Sequence, residues 1–148
     1  MTDNNEFRTD VAGEFPDCLR DESRRAGRAD SVSFPKTEED VKRHLARAYA
    51  GKMAVTIQGA RTGITAGAVP EGGHILNLSR MNRIIGLRQG SEGGFFLTVQ
   101  PGILLADVRK YVREEAEPRF RETGAMVFFP PDPTETSASL GGMVACNA

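Results

Sequence analysis

Between residues 59 and 73 the sequence holds five glycines, Gly59, Gly63, Gly67, Gly72 and Gly73, directly after the β-rich run Ala54-Val55-Thr56-Ile57. Glycine costs a regular element roughly 0.5–1 kcal/mol. Concentrating it in one loop implies that bare backbone must come close to something. The segment Gln58-Gly59-Ala60-Arg61-Thr62-Gly63-Ile64-Thr65-Ala66-Gly67-Ala68 offers unobstructed N–H groups, with the hydroxyls of Thr62 and Thr65 beside them. N–H groups that converge in a loop form an anion nest suited to phosphate or pyrophosphate. Arg61 either adds charge there or points to solvent. The spacing excludes GxGxxG, because the glycines recur every four residues, and GxxxxGK[ST], because no Lys follows Gly63 or Gly67. Taken alone, the residues fit an anion-binding loop and a tight packing turn equally well.

A second segment, Phe129-Pro130-Pro131-Asp132-Pro133 through Ser139-Leu140-Gly141-Gly142, combines stiff prolines with small and hydroxyl residues. Such a stretch makes a shaped, low-entropy wall, and its glycine pair permits close approach of a flat ligand. Alone it also reads as a plain loop, with Asp132 capping local N–H groups or facing a ligand. Other chemistry-bearing residues are isolated. His44 and His74 have no second ligand at a telling spacing and read as surface or turn residues, so no metal site and no catalytic residue is assigned. Cys18 and Cys146 lie 128 positions apart and form no CxxC pair. Cys146 reads as a small hydrophobe in an apolar run. Asp107, Arg109 and Lys110 read as solvated. Phe95, Phe96, Phe128 and Phe129 read as core, with Phe129 also placed to touch a cofactor.

The elements that must position these loops follow from local patterns. Residues 1–30 are polar and read as an N-terminal arm with a short helix, its cluster Arg20-Asp21-Glu22-Ser23-Arg24-Arg25 solvated. Ser31-Val32-Ser33-Phe34 suits a short strand ending at Pro35. Thr37 with Glu38, Glu39 and Asp40 starts a helix, which Val41, Leu45 and Ala48 continue and Gly51 closes. With Ala54–Ile57 this makes a strand–helix–strand unit and predicts parallel pairing. His74–Leu78 reads as a strand, Gly90–Gly94 as a turn before the strand Phe95–Val99, Leu104–Val112 as an amphipathic helix, and Met126–Phe129 as a short strand. Over 148 residues, 39% hydrophobic, 19 Lys+Arg against 20 Asp+Glu argue for one globular domain and against a nucleic-acid or anionic-membrane binder. The longest strongly apolar run, Ala125–Phe129, is far short of the ~20 residues of a membrane helix. The polar, acidic start carries no readable targeting peptide, and a cytoplasmic setting is expected. The chain is expected to be interrupted, not finished, at Ala148.

The order of the blocks carries a resemblance. Val55-Thr56-Ile57-Gln58-Gly59-Ala60-Arg61-Thr62-Gly63 resembles the pyrophosphate loop of the FAD-binding (PCMH-type) oxidase family typified by vanillyl-alcohol oxidase, and most of all its glycolate oxidase subunit and D-lactate dehydrogenase group. The likeness continues through Leu76-Asn77-Leu78-Ser79-Arg80-Met81-Asn82-Arg83-Ile84, Val99-Gln100-Pro101-Gly102, Phe129-Pro130-Pro131-Asp132-Pro133 and Ser139–Ala148. It implies an α/β (α+β) fold: a first FAD-binding subdomain with a small parallel sheet flanked by helices, and the start of a second subdomain. It places residues 31–148 in the N-terminal part of an FAD domain whose remainder, with a cap domain, lies elsewhere. The implied cofactor contacts are Gly59, Ala60, Arg61, Thr62, Gly63, Thr65, Pro131, Asp132, Ser139, Gly141 and Gly142. Ala60-Arg61 stands where the family usually has Gly-Gly. With no His or Cys in the glycine loop, FAD is expected to be held without a covalent bond. The implied activity of a full-length protein is hydride transfer from a small D-2-hydroxy acid to FAD. A stand-alone nucleotide-binding or interaction module is the other expectation. The chain alone is expected to be inactive and to self-associate through an uncovered subdomain face.

Overall fold

A computed structural model describes residues 6–91, 93–121, 124, 126–131 and 135–148. Helix α1 (Val11–Glu14) is capped by Asp10, whose carboxylate accepts from the Gly13 N–H at 3.0 Å, and a 3-10 turn follows at Pro16–Leu19. Strand β1 (Ser31–Ser33), helix α2 (Glu38–Ala50) and strand β2 (Val55–Gln58) form the expected unit. Helix α2 starts with a capping box: the Thr37 hydroxyl accepts from the Asp40 N–H and the Asp40 carboxylate from the Thr37 N–H, both at 3.1 Å. Gly51 caps its end at φ −82°, so the left-handed position falls on Lys52, at φ 51°.

Strand β3 (His74–Asn77) inserts between β1 and β2 and runs parallel to both, with His74 opposite Ser31 on one side and Val55 on the other. As the central strand it is buried at all four residues, which is why His74-Ile75-Leu76-Asn77 shows no alternation. The core joins Val11 and Cys18 of the arm to Val32 and Ile75 of the sheet, with Phe15, Leu19, Ala29 and Phe34 packed on it. Arg8 also pairs antiparallel with Val32 through two backbone bonds of 2.8 Å. The first thirty residues therefore supply part of the core.

Strands β4 (Ile84–Gln89) and β5 (Phe95–Val99) form a separate antiparallel pair with a bulge between Ile84 and Gly86. Helix α3 (Leu105–Tyr111) runs on through a π turn (Val112–Ala116) into α4 (Glu117–Phe120). Pro118 explains the widened turn: it lacks an N–H and its ring crowds the carbonyl four residues back, so the ladder re-registers ahead of it. Helix α5 (Leu140–Cys146) closes the order. Among the described residues, no helix is long and apolar enough to cross a membrane.

Three expectations in this half need correction. Met126–Phe129 is not a strand: the run leads into Pro130-Pro131, pairs with no neighbouring strand, and buries only Val127. Phe96 and Phe128 are exposed at 52% and 66%, so they are not core. Phe96 lies instead under the Arg88 guanidinium, 4.1 Å from its ring centre. Cys146 is exposed, because α5 turns its buried face at Met143 and leaves Val144 to Cys146 outward.

Candidate functional site

The glycine loop leaves β2 at Gln58, a buried residue that ties the loop's base together. Its amide nitrogen donates to the carbonyls of Cys18 and Ala68, both at 2.7 Å, and its amide oxygen accepts from Asn77 Nδ2 at 3.2 Å. The N-terminal arm holds the other side. Asp21, 9% exposed, accepts from the Ser23 N–H at 2.9 Å and the Ala68 N–H at 3.4 Å, while the Glu22 N–H donates to the Arg61 carbonyl at 3.3 Å. Burial pushes the Asp21 carboxyl up, but hydrogen bonds from Ser23 and Ala68 outweigh it and hold the group below the usual range. The cluster Arg20–Arg25 is therefore a clamp on the loop, not only a solvated surface, because half-buried N–H groups use its carboxylate. Gln58, Asn77 and Asp21 were not among the expected site residues. A polar residue at the buried end of a strand is the one sequence signal that marks Gln58 and Asn77.

The two expected segments meet at Ser139. Its side chain is buried, and its Oγ accepts from the Ala60 N–H and from the Gly142 N–H, each at 3.3 Å. A β-carbon on Gly59 would collide with that same Oγ, so the glycine permits the approach of loop and helix α5. Gly141 is explained by Pro101: its missing β-carbon would lie 2.7 Å from the Pro101 Cβ and 2.9 Å from the Pro101 carbonyl oxygen. Thus the close approach at Gly59 and Gly141 is made by protein to protein. Gly63 and Gly67 meet nothing within 4 Å, and neither has positive φ. Left-handed backbone in this loop falls on Arg61 (φ 61°) and Ala66 (φ 63°) instead. Thr62 is half-buried and Thr65 exposed. Pro131 is half-buried, its carbonyl accepting from the Arg109 guanidinium at 3.5 Å, which makes Arg109 more than a solvated residue. Asp132 lies outside the described residues.

A cleft of about 400 Å³ opens beside the loop, lined by Phe34 after β1, Gly59 to Arg61 after β2, Ser79 and Arg80 after β3, and Glu14 to Cys18 of the arm. It therefore lies at the carboxyl ends of all three strands, where open parallel sheets bind ligands. A smaller one of about 180 Å³, between Arg61 and residues 17 to 22, adjoins it. The two carboxylates of the larger cleft are already engaged, Glu14 by Arg8 and Asp17 by Arg20 at 2.7 Å. The Arg20 hydrogen bond and charge hold the Asp17 carboxyl below its usual range, whereas burial pushes the Cys18 thiol up and keeps it inert. Among the described residues no group of His, Cys, Asp and Glu is placed to hold a metal ion.

Both histidines are buried, contrary to their reading as surface or turn residues, because β3 is the central strand and α2 lies on it. His74 Nδ1 and Nε2 sit 2.8 Å from the hydroxyls of Ser31 and Ser33. Its ring stacks on Phe7 at 3.6 Å, and His44 meets Phe7 edge-on at 5.5 Å. This is a packed cluster under the arm, remote from the glycine loop in the sheet: it stands at the opposite, amino end of β3.

The donor set at the loop fits a dinucleotide. Open space adjoins Gly63 and Gly67 and the guanidinium-bearing Arg61 and Arg80 line the cleft, while the Ala60 and Gly142 N–H groups are taken by Ser139 Oγ. The chain is 37% identical over 98 residues to D-lactate dehydrogenase of Anaerostipes hadrus, covering 66% of this chain and 18% of that protein. It is 32% identical over 115 residues to rat mitochondrial D-2-hydroxyglutarate dehydrogenase, covering 77% and 19%. The chain thus spans about a fifth of the length of these relatives. The solved structure of alkyldihydroxyacetonephosphate synthase superimposes with a TM-score of 0.69 at 16% identity, over 98% of this chain and 29% of that one, and so shares the fold. A family model described as FAD binding domain matches residues 29–148, most of the chain, and the protein accordingly belongs to the FAD binding domain family.

Proposed function

We propose that this chain is the first part of the FAD-binding unit of a flavin-dependent oxidoreductase acting on a small D-2-hydroxy acid. The junction of the glycine loop with Ser139 carries the reading: it brings the two segments expected to contact the cofactor together at the carboxyl edge of the parallel sheet. Relatives that are D-lactate and D-2-hydroxyglutarate dehydrogenases by name support the substrate class and do not favour a module without redox activity. In this reading residues 31–148 form the unit, with residues 1–30 as an arm that clamps its loop. Gly59 to Gly63 and Thr65 line the pyrophosphate, and Pro131, Asp132, Ser139, Gly141 and Gly142 bound it from the other segment. FAD, when bound, supplies the hydride-accepting ring. The chain's own groups orient it and neutralise its phosphates.

Because one subdomain offers only part of a dinucleotide's contacts, and association must first overcome several kcal/mol of lost translational and rotational freedom, the chain alone should bind FAD weakly and oxidise no hydroxy acid. It should also self-associate, since Ile85, Phe96, Met126, Phe128 and Val144 are large, apolar and exposed. Flavin-fluorescence titration with light scattering tests both points; sub-micromolar FAD binding by a monomer would sink them. FAD in the complete protein should be non-covalent, since no His or Cys lies between Gln58 and Gly73. Acid precipitation should then release all the yellow colour, and a coloured pellet would count against the assignment.

A further inference from the structure

Arg61 occupies left-handed backbone at φ 61°, a conformation that costs a side chain roughly 1 kcal/mol more than glycine. The Glu22 N–H holds its carbonyl in that conformation. Its side chain is half-buried and lines both clefts beside the loop. Among the described residues Arg61 forms no ion pair with a carboxylate: Arg8 and Arg20 engage Glu14 and Asp17, and Asp21 accepts from the Ser23 and Ala68 N–H groups. The Arg61 charge already acts at a distance on Asp17 and Cys18, and a strained, partly desolvated cation beside a run of backbone N–H groups is also well placed to meet an anion that enters the cleft. The next N–H along, that of Ala60, is already committed to Ser139.

We propose that the Arg61 side chain is a phosphate-binding group of this chain's cofactor site, supplying by charge what a second glycine would supply by bare backbone. This rests on the reading of the loop as a pyrophosphate site. Arginine suits the role, since its guanidinium is always charged and meets phosphate oxygens in a bidentate fork. Glycine at this position would relax the backbone and abolish the charge, so stability and anion binding should move in opposite directions.

The test titrates inorganic pyrophosphate into the nitrogen-labelled chain and its Arg61→Gly variant. NMR follows the amides of residues 59–63 and the Arg61 Nε–H, and thermal melting is measured alongside. The expected result is movement of the Arg61 Nε–H with the loop amides, about tenfold weaker binding in the variant, a flatter salt dependence, and a melting temperature no lower than wild type. Equal affinity in the two proteins would overturn the role of Arg61 and leave the loop as the cofactor site. Weaker binding together with a lower melting temperature would make Arg61 a structural residue and also overturn it. If the loop amides of neither protein respond to millimolar pyrophosphate, the pyrophosphate reading of the loop falls, and the role of Arg61 with it.

Discussion

Acidification from neutral pH to about 4 should cost this fold about 3 kcal/mol through His74 alone. Burial depresses the His74 pKa from 6.5 to about 4, and the nearby His44 and Arg47 charges add to the effect. Below pH 6.5 the unfolded chain takes up a proton at this residue that the folded chain refuses. Stability is therefore full above pH 6.5, falls as pH drops through the window to about 4, and levels off below it. At about 1.4 kcal/mol per pH unit, that interval corresponds to the stated loss. The neutral ring is well served, since the hydroxyls of Ser31 and Ser33 rotate to give one nitrogen a donor and the other an acceptor. A charged ring would face the Arg47 guanidinium across Phe7, over whose ring Arg47 sits at 4.1 Å. Asp17 and Asp21 are held below their ordinary 3.8 and lose their contributions only beneath the window, whereas Glu39 and Glu135, held below their ordinary 4.5, begin to lose theirs at its lower end, so the histidine alone governs the upper part. Urea melts at neutral pH and near the lower end of the window measure the loss. The His74 ring proton shift should stay flat until pH approaches 4, and a midpoint near 6.5 would sink the prediction.

That histidine also shows where the sequence stops being informative. Elements set by neighbours in the chain were legible: the Thr37–Asp40 box, the β-branched run before Gln58 and the hairpin around Gly90 depend on residues a few positions apart. His74 depends on Ser31 and Ser33, more than forty residues away, which become its partners only because β3 threads between β1 and β2. Ser31-Val32-Ser33 likewise looks half-exposed by alternation but is buried throughout, since its hydroxyls have the imidazole to serve. In the loop, the density of glycine marked the segment correctly, yet glycine is not where the strain lies. Left-handed backbone at Arg61 is held by the Glu22 N–H, almost forty residues away, while Asp21 and Gln58 clamp Ala68 just beyond the left-handed Ala66. Met126–Phe129 failed for a related reason: four apolar residues in a row describe a strand only where a neighbour offers its edge.

The same separation between density and position predicts that two glycines of one loop will respond oppositely to substitution. Gly59→Val should destabilise the chain by about 2–4 kcal/mol, combining overpacking of roughly 1–3 kcal/mol with loss of a helix cap worth roughly 1 kcal/mol. Ser139 cannot retreat from the added carbons. Its neighbours are fixed to the preceding segment by Leu105 N–H to Ala138 carbonyl and Leu140 N–H to Ile103 carbonyl bonds, both 2.9 Å. Either loop and helix α5 part, or Ser139 gives up the Ala60 and Gly142 N–H groups. Gly63→Val meets nothing within 4 Å and requires no positive φ, so the fold should change by about 0.5 kcal/mol or less. If the space beside Gly63 is where the pyrophosphate approaches, the cost of that variant should appear as lost flavin affinity in the complete protein. Denaturant melts of both variants, with FAD titration of the complete protein carrying Gly63→Val, separate the two effects. Melts that coincide for Gly59→Val and wild type would show that the loop and Ser139 are not packed together. Unchanged flavin affinity in the Gly63→Val protein would reduce that end of the loop to a turn.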